Sequence, residues 1–414
     1  MLIWVVNSII VYCTYESSGY GAVMTDMYED PQNIDILLLG SSHTDVSFDE
    51  KYMNQAQELH VFNAGSPVQK PDTSYYILKE TSKSNSVKQV YLDMFYYMYQ
   101  DEPQNRTNAQ LEFIYIITDQ MKWSWDKIEF LLNAGPMDSY IHGFIKASRT
   151  ADNILYLTKT EQLIKEKRHS DNDDIASEKV EEIDIHNTYD IPNVCIGNSS
   201  GYRLQKQNIS EYSRKYIKKI AKLCRDKGIE LVLVATPMTD YQLNIIGDYD
   251  TYINEVKSLA ESIGVPYRDY NLCNEEILGI TDDCFADMHH LNKKGSRIFT
   301  IRFMEYETGQ LSYDDTFYQS YRQKINSMKD TCFGIDVIST GENNEYQVVP
   351  VCNRKMDLLY EISQQEEQLV NVLSIDNNIF RINKSGIYNI IVKNRQNDEV
   401  LKRYEIELNI NEME

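Results

Sequence analysis

Three short stretches of this chain carry residue types suited to acyl-transfer chemistry. Gly40-Ser41-Ser42-His43-Thr44 follows directly on the apolar run Ile34 to Leu39. A serine at a strand-to-helix turn can present its hydroxyl at the rim of a sheet. Backbone N–H groups and a helix N-terminus there favour developing negative charge. Taken alone, Gly-Ser-Ser after a strand is more often an ordinary turn. Far downstream stands Asp287-Met288-His289-His290-Leu291-Asn292, just before a helical pattern. A serine nucleophile needs a base, and the base needs an orienting carboxylate. His290 can take the serine proton while Asp287 holds the ring; read alone, the stretch is a surface loop with a helix cap. The third stretch is Asn63-Ala64-Gly65, where a glycine lets a backbone N–H approach an oxyanion or simply makes a turn. A metal reading of Asp287, His289 and His290 lacks any further ligand cluster, so neither a metal nor another cofactor is expected.

These stretches sit at the ends of elements that alternate between strand and helix. Ile34 to Leu39 is a short, wholly apolar run, as a buried parallel strand reads. Val61 to Gly65, Val87 to Met94, Ile229 to Ala235 and Val265 to Asp269 give four further strands. Between them lie helical patterns over Asp72 to Lys83, with Asp72 as N-cap, and over Ser210 to Lys227, closed by Gly228. Asp250 to Ile263 and Lys294 to Tyr306 are two more. Such alternation predicts a three-layer α/β/α fold around a parallel sheet, with ligands outside the carboxyl ends of the strands. Asp101 to Asp190 interrupts the scheme as a helical insertion rich in aromatics, its later part highly charged. From about residue 330 to 414, short alternating runs and turn signals predict a small β domain. The expected organisation is an N-terminal segment over 1–30, an α/β domain over 31–313 with its insertion at about 101–190, and the β domain.

Composition narrows the function classes. There are 63 Asp+Glu against 41 Lys+Arg, a net charge of -22, so a phosphate backbone is repelled and no nucleic-acid partner is expected. The seven cysteines contain no C-x-x-C pair, which removes zinc-ribbon and thioredoxin-type sites; scattered free thiols with at most one disulfide are expected. Met1 to Cys13 (MLIWVVNSIIVYC) is apolar and uncharged, shorter than the roughly 20 residues that span a bilayer. It reads as part of a membrane anchor, with docking of an apolar helix as the bland alternative.

In this order and on this fold, the three stretches resemble the SGNH/GDSL hydrolase superfamily over about Asp35 to Glu305. The family's Gly-Asp-Ser block falls on Gly40-Ser41-Ser42, which implies Ser42 as nucleophile. Its second-block glycine falls on Gly65. Its Asp-x-x-His block falls on Asp287 and His290. The phrases ILLLGSSHTDVSFD, FNAGSPVQ and DMHHLNKKG look like a bacterial subgroup with membrane-anchored members, similar to proteins of D-alanine transfer to teichoic acid and exopolysaccharide O-acetyltransferases. The family's third block supplies an Asn to the oxyanion. Here the corresponding strand ends Tyr91-Leu92-Asp93-Met94-Phe95, without one. A carboxylate beside an oxyanion is unfavourable, so Asp93 is expected to point away or to pair with a cation.

The resemblance implies a serine esterase or O-acyltransferase. Ser42, Asp287 and His290 would be its triad, and the N–H groups of Ser42 and Gly65 its oxyanion donors. It further implies an acylated carbohydrate or cell-surface polymer as substrate, a membrane-bound acyl-transfer partner, and a position on the extracytoplasmic face of the membrane. The rival is an inactive module of the same fold that binds glycan or a partner protein. Met94 to Tyr99 (MFYYMY) reads as core or as a pocket wall, and His43 as a helix residue without a basic role.

Overall fold

The computed structural model describes residues 23–29, 33–56, 59–145, 148, 196–197, 209–342, 344–364 and 378–410. The apolar segment Met1 to Cys13 and the charged stretch Lys165 to Asp190 lie outside the described residues. No helix among the described residues is long and apolar enough to cross a membrane. The chain divides into two compact units. The first comprises Met1–Ile185, Gln205–Thr236 and Asn254–Arg268; the second comprises His186–Leu204, Pro237–Ile253 and Asp269–Glu414.

A five-stranded parallel sheet organises the first unit. Its strands are β1 (Asn33–Leu39), β2 (Val61–Asn63), β3 (Ser86–Asp93), β4 (Glu230–Ala235) and β5 (Tyr267–Asp269), in the order β2-β1-β3-β4-β5. The apolar run of β1 is buried on both faces, with Leu37, Leu38 and Leu39 fully enclosed. That is why it carries no alternation. Register places Ile36 beside Val61 on one side and Gln89 on the other, and Leu39 beside Leu92. Flanking helices complete the three-layer α/β/α class that the alternation predicts. Strand order reverses at β1, so the crevice outside the carboxyl ends of β1 and β3 is the topological switch point of the sheet.

The short helix α1 (Ser42–Ser47) leaves β1 directly. Helix α2 (Pro71–Ser84) follows β2. Its N-cap is Lys70, with Pro71 in the first turn, which corrects the expectation of an Asp72 cap. A proline without an N–H suits that first turn. Asp72 instead lies wholly buried and forms a two-point pair with Arg106, at 2.7 and 3.0 Å. Tyr212 Oη also donates to it at 3.1 Å. A buried charge persists only when so satisfied. The described part of the insertion holds α3 (Asn108–Gln120) and α4 (Trp125–Asn133), followed by a short helix Tyr140–Phe144. Helix α5 (Glu211–Lys227) is capped by Ser210, buries Tyr216, Ile217, Ile220 and Cys224, and ends on Gly228 at φ 70°. Only a residue without a Cβ takes that conformation at little cost.

The second unit contains the helices α6 (Asp240–Ile245) and α8 (Lys293–Glu307); α7 (Tyr249–Ile263) crosses the division between units. It also holds two antiparallel sheets. One contains β6 (Cys332–Ser339), β7 (Glu345–Cys352) and β9 (Ile379–Arg381), with Ile196–Gly197 added in parallel to β6. The other contains β8 (Leu358–Gln364), β10 (Gly386–Asn394) and β11 (Val400–Leu408), in the order β11-β10-β8. Leu358, Tyr360 and Ile362 alternate with less buried neighbours, as do Tyr388, Ile390 and Val392. That two-residue period marks sheets with one face packed and one face open.

Candidate active site

The serine-bearing rim belongs to the first unit. Gly40 follows β1 at φ 152°. A Cβ on Gly40 would overlap Thr44 Oγ1 and stand 2.5 Å from Asp93 Cβ, so the position must be glycine. Ser41 caps α1, its Oγ accepting from the amide of His43 at 3.3 Å. Ser42 is therefore the first helical residue, and its side chain is half-buried. Its hydroxyl is not spent on the cap, which Ser41 supplies.

The second strand closes on this turn through Asn63. The Asn63 Nδ2 donates to the carbonyls of Thr44 and Asp45, at 3.2 and 3.3 Å, which pins β2 to the first turns of α1. Its Oδ1 accepts from the Gly65 amide at 3.0 Å. Gly65 thus reaches the rim with its N–H already engaged. A Cβ there would stand 2.6 Å from the Asp45 amide nitrogen. Close backbone approach explains the glycine. Asn63 is a carboxamide near the rim, yet its donors are consumed by backbone carbonyls. It does not stand in for the missing third-block Asn.

Asp93, at the end of β3, departs from expectation. It meets no cation among the described residues. It is buried beside Gly40, and Ser41 Oγ donates to its Oδ2 at 3.3 Å. Its Oδ1 has no hydrogen-bond partner among the described residues. Burial pushes the carboxyl up to about 7, against the pull of the Phe95 amide and the Ser41 hydroxyl. The physical reason for the difference is that burial, with no counter-ion among the described residues, raises this acid above the ordinary carboxylate range. Tyr99 Oη donates to the Asp93 carbonyl, and Met94, Phe95, Tyr96, Met98 and Tyr99 are all buried. The aromatic run after β3 is therefore core. His43 is buried as well, stacked on Phe95 at 3.7 Å between centroids, with Nδ1 3.5 Å from Thr236 Oγ1.

The acid–base stretch belongs to the second unit. Asp287 organises it through three contacts. Oδ1 accepts from the amides of His289 and His290, at 2.8 and 2.7 Å, and Oδ2 meets His290 Nδ1 at 2.7 Å. Burial works to raise this carboxyl, but the His290 hydrogen bond and the two nearby imidazoles hold it well below the usual carboxylate range. An ionised Asp287 on Nδ1 fixes the tautomer in which Nε2 of His290 is the basic nitrogen. Burial pushes His289 down to about 4, so it stays neutral at physiological pH. Both carboxylate oxygens of Asp287 are engaged within their own loop, an arrangement that suits an orienting acid better than a metal ligand.

The loop is tethered on both sides. Met288 carbonyl accepts from the amide and the hydroxyl of Thr239, at 3.3 and 2.6 Å. Asn292 caps α8 through the Gly295 amide at 3.0 Å and donates to the carbonyls of Asp283 and Phe285. The sequence marks Asn63 and Asn292 only as members of their stretches and Thr239 not at all. The contacts of Asn63 and Thr239 run to segments remote in the chain, which no local spacing announces, whereas Asn292 acts on its own loop and helix start.

Neither a protein-family model nor a curated protein matches this chain. Among solved structures, a GDSL-like lipase from Bacteroides thetaiotaomicron is similar at 10% identity and a TM-score of 0.33, covering 72% of this chain and 100% of that one. A lipase/acylhydrolase from Enterococcus faecalis is similar at 12% identity and a TM-score of 0.29, covering 67% and 97%. Likeness at these scores bears no argument about chemistry, which rests on the residues.

Proposed function

We propose that the protein is an SGNH-type serine esterase or O-acyltransferase acting on acyl groups of a cell-surface polysaccharide or a teichoic-acid-like polymer. The observation that carries this reading is the Asp287–His290 pair, an ionised carboxylate seated on Nδ1 of a histidine. The reading requires Nε2 of His290 to reach the Ser42 hydroxyl. Ser42 Oγ then attacks the acyl carbonyl while His290 takes its proton. The tetrahedral oxyanion is stabilised by the Ser42 amide at the start of α1, and by the Gly65 amide once Asn63 yields it. His290 returns the proton to the leaving alcohol. Water or a sugar hydroxyl, activated by the same imidazole, then takes the acyl group from Ser42.

The engaged Gly65 amide and the missing third-block Asn favour a second reading, a non-catalytic module that binds surface glycan or a partner protein. Fluorophosphonate labelling separates the two. The catalytic reading expects labelling of the wild type that vanishes in Ser42→Ala; a folded wild type that stays unlabelled supports the module.

The proposed location is the extracytoplasmic face of the membrane, held by the apolar N-terminal segment and beside a membrane-bound acyl-transfer partner. A variant lacking Met1 to Tyr15 is expected to leave the membrane fraction without detergent. Persistence there sinks the anchor.

A further inference from the structure

The antiparallel pairing of β6 with β7 sets Cys332 directly across from Cys352. Opposed residues in such a pair send their side chains to the same face, with Cα atoms roughly 4.5 to 5.5 Å apart. That separation lies inside the range of about 4.4 to 6.8 Å that a disulfide spans. We propose that Cys332 and Cys352 are an oxidisable pair that closes into a cross-strand disulfide tying β6 to β7.

The two thiols are free here and unequal. Cys332 is 2% exposed, and its Sγ donates to the Gly334 carbonyl at 3.4 Å. Cys352 is only half-buried. A hydrogen bond between the two thiols, aided by burial, holds Cys332 up, while the same bond lowers Cys352. Cys352 is thus the accessible nucleophile and Cys332 the resolving thiol. The ladder shifts register between Cys332 and Gly334, so the pair sits at an irregularity rather than inside a rigid run.

The remaining described cysteines are placed differently. Burial pushes Cys224 up to about 12. Cys273 Sγ faces Tyr306 Oη at 3.3 Å, and Cys284 lies beside Thr281 and Asp283. Among the described residues, no other two cysteines oppose each other across a strand pair.

Closure needs a two-electron oxidant, here a disulfide such as oxidised glutathione. The Cys352 thiolate attacks one glutathione sulfur, forming a mixed disulfide and releasing one glutathione thiol. The Cys332 thiolate attacks the Cys352 sulfur, forms the S–S bond and releases the second glutathione thiol. The two protein thiol protons end on the two glutathione thiols, and the two electrons pass to the oxidant.

The test treats the folded full-length chain with oxidised glutathione, blocks remaining thiols with maleimide and reads peptides by mass. No Lys or Arg separates the two cysteines, so trypsin leaves both on one peptide, 330–354. The expected result is that this peptide is about 2 Da lighter than its dithiol form. Cleavage after Glu342 and Glu345 then leaves its halves joined until dithiothreitol is added. In Cys332→Ser, a glutathione adduct on Cys352 should persist. In Cys352→Ser, Cys332 should react at least about tenfold more slowly, because the buried thiol is little ionised. Recovery of both cysteines as maleimide adducts from oxidised, folded wild type overturns the proposal. So does joining of either one to another cysteine.

Discussion

Two aspartates show how differently the serine rim and the histidine loop are built. Asp93 and Asp287 each stand within a few residues of a chain turn that carries candidate chemistry, yet their environments drive them in opposite directions. Asp93 is enclosed by β1, β3 and the aromatic run, and burial raises it to about 7. Asp287 gathers two amides and an imidazole, and they hold it ionised. The rim takes its shape from steric exclusion, because Gly40 and Gly65 admit backbone where no Cβ fits. The loop takes its shape from hydrogen bonds to one charge. Carboxylates separated in this way mark places where environment, rather than residue type, sets the acid–base role.

Removing Ser42 tests whether the rim has a chemical purpose at all. Ser42→Ala should lower ester turnover by about 10^4-fold or more with the circular dichroism unchanged, because Ser41 and not Ser42 caps α1. Turnover within tenfold of wild type removes Ser42 from the mechanism.

The loop is tested by Asp287→Asn. The amide keeps the shape but no longer supplies the anion, and it permits the wrong imidazole tautomer. The rate should fall by roughly 10^3- to 10^4-fold. A fall of less than tenfold in single-turnover acylation would show that Asp287 shapes the loop without orienting a base.

Asp93 sharpens the contrast through pH. Its folded value lies above its ordinary one, so the folded state is penalised once the unfolded carboxyl ionises, and the penalty is complete above the folded value. Wild type should therefore lose stability relative to Asp93→Asn between about pH 4 and pH 7. The full difference is on the order of 4 kcal/mol, and it should be absent below about pH 4. Denaturant midpoints of both proteins across that range check it; parallel profiles would show that Asp93 is ionised in the fold.

The steric half of the comparison gives the smallest effect. Gly40→Ala forces a Cβ to 2.5 Å from Asp93 Cβ and should cost about 2 to 3 kcal/mol. Urea unfolding at pH 5, where Asp93 is mostly protonated, isolates that term. A cost below about 0.5 kcal/mol would show that the rim has slack.

Much of the scaffold was legible because its signals are local. Strands β1 and β4 follow apolar runs, and the ends of α5 follow from Ser210 and Gly228. The second strand is shorter than its apolar run suggests, stopping at Asn63, where the side chain turns back onto α1. Asp72 misled for a related reason. Asp near a helix start is a common cap, but the distant Arg106 claims this one.

The sequence by itself determined the alternation of strand and helix, the glycines at the strand ends, and the Ser42, Asp287 and His290 candidates with their order along the chain. Those properties rest on hydrophobic period, on backbone freedom and on residue type, all of which a single stretch displays. Only the tertiary structure decided that burial raises Asp93, that Asn63 holds the Gly65 amide, and that Cys332 faces Cys352. Each depends on the dielectric or the neighbour supplied by a segment remote in the chain. Desolvation and strand register are properties of packing, which a residue acquires only when the rest of the fold closes around it.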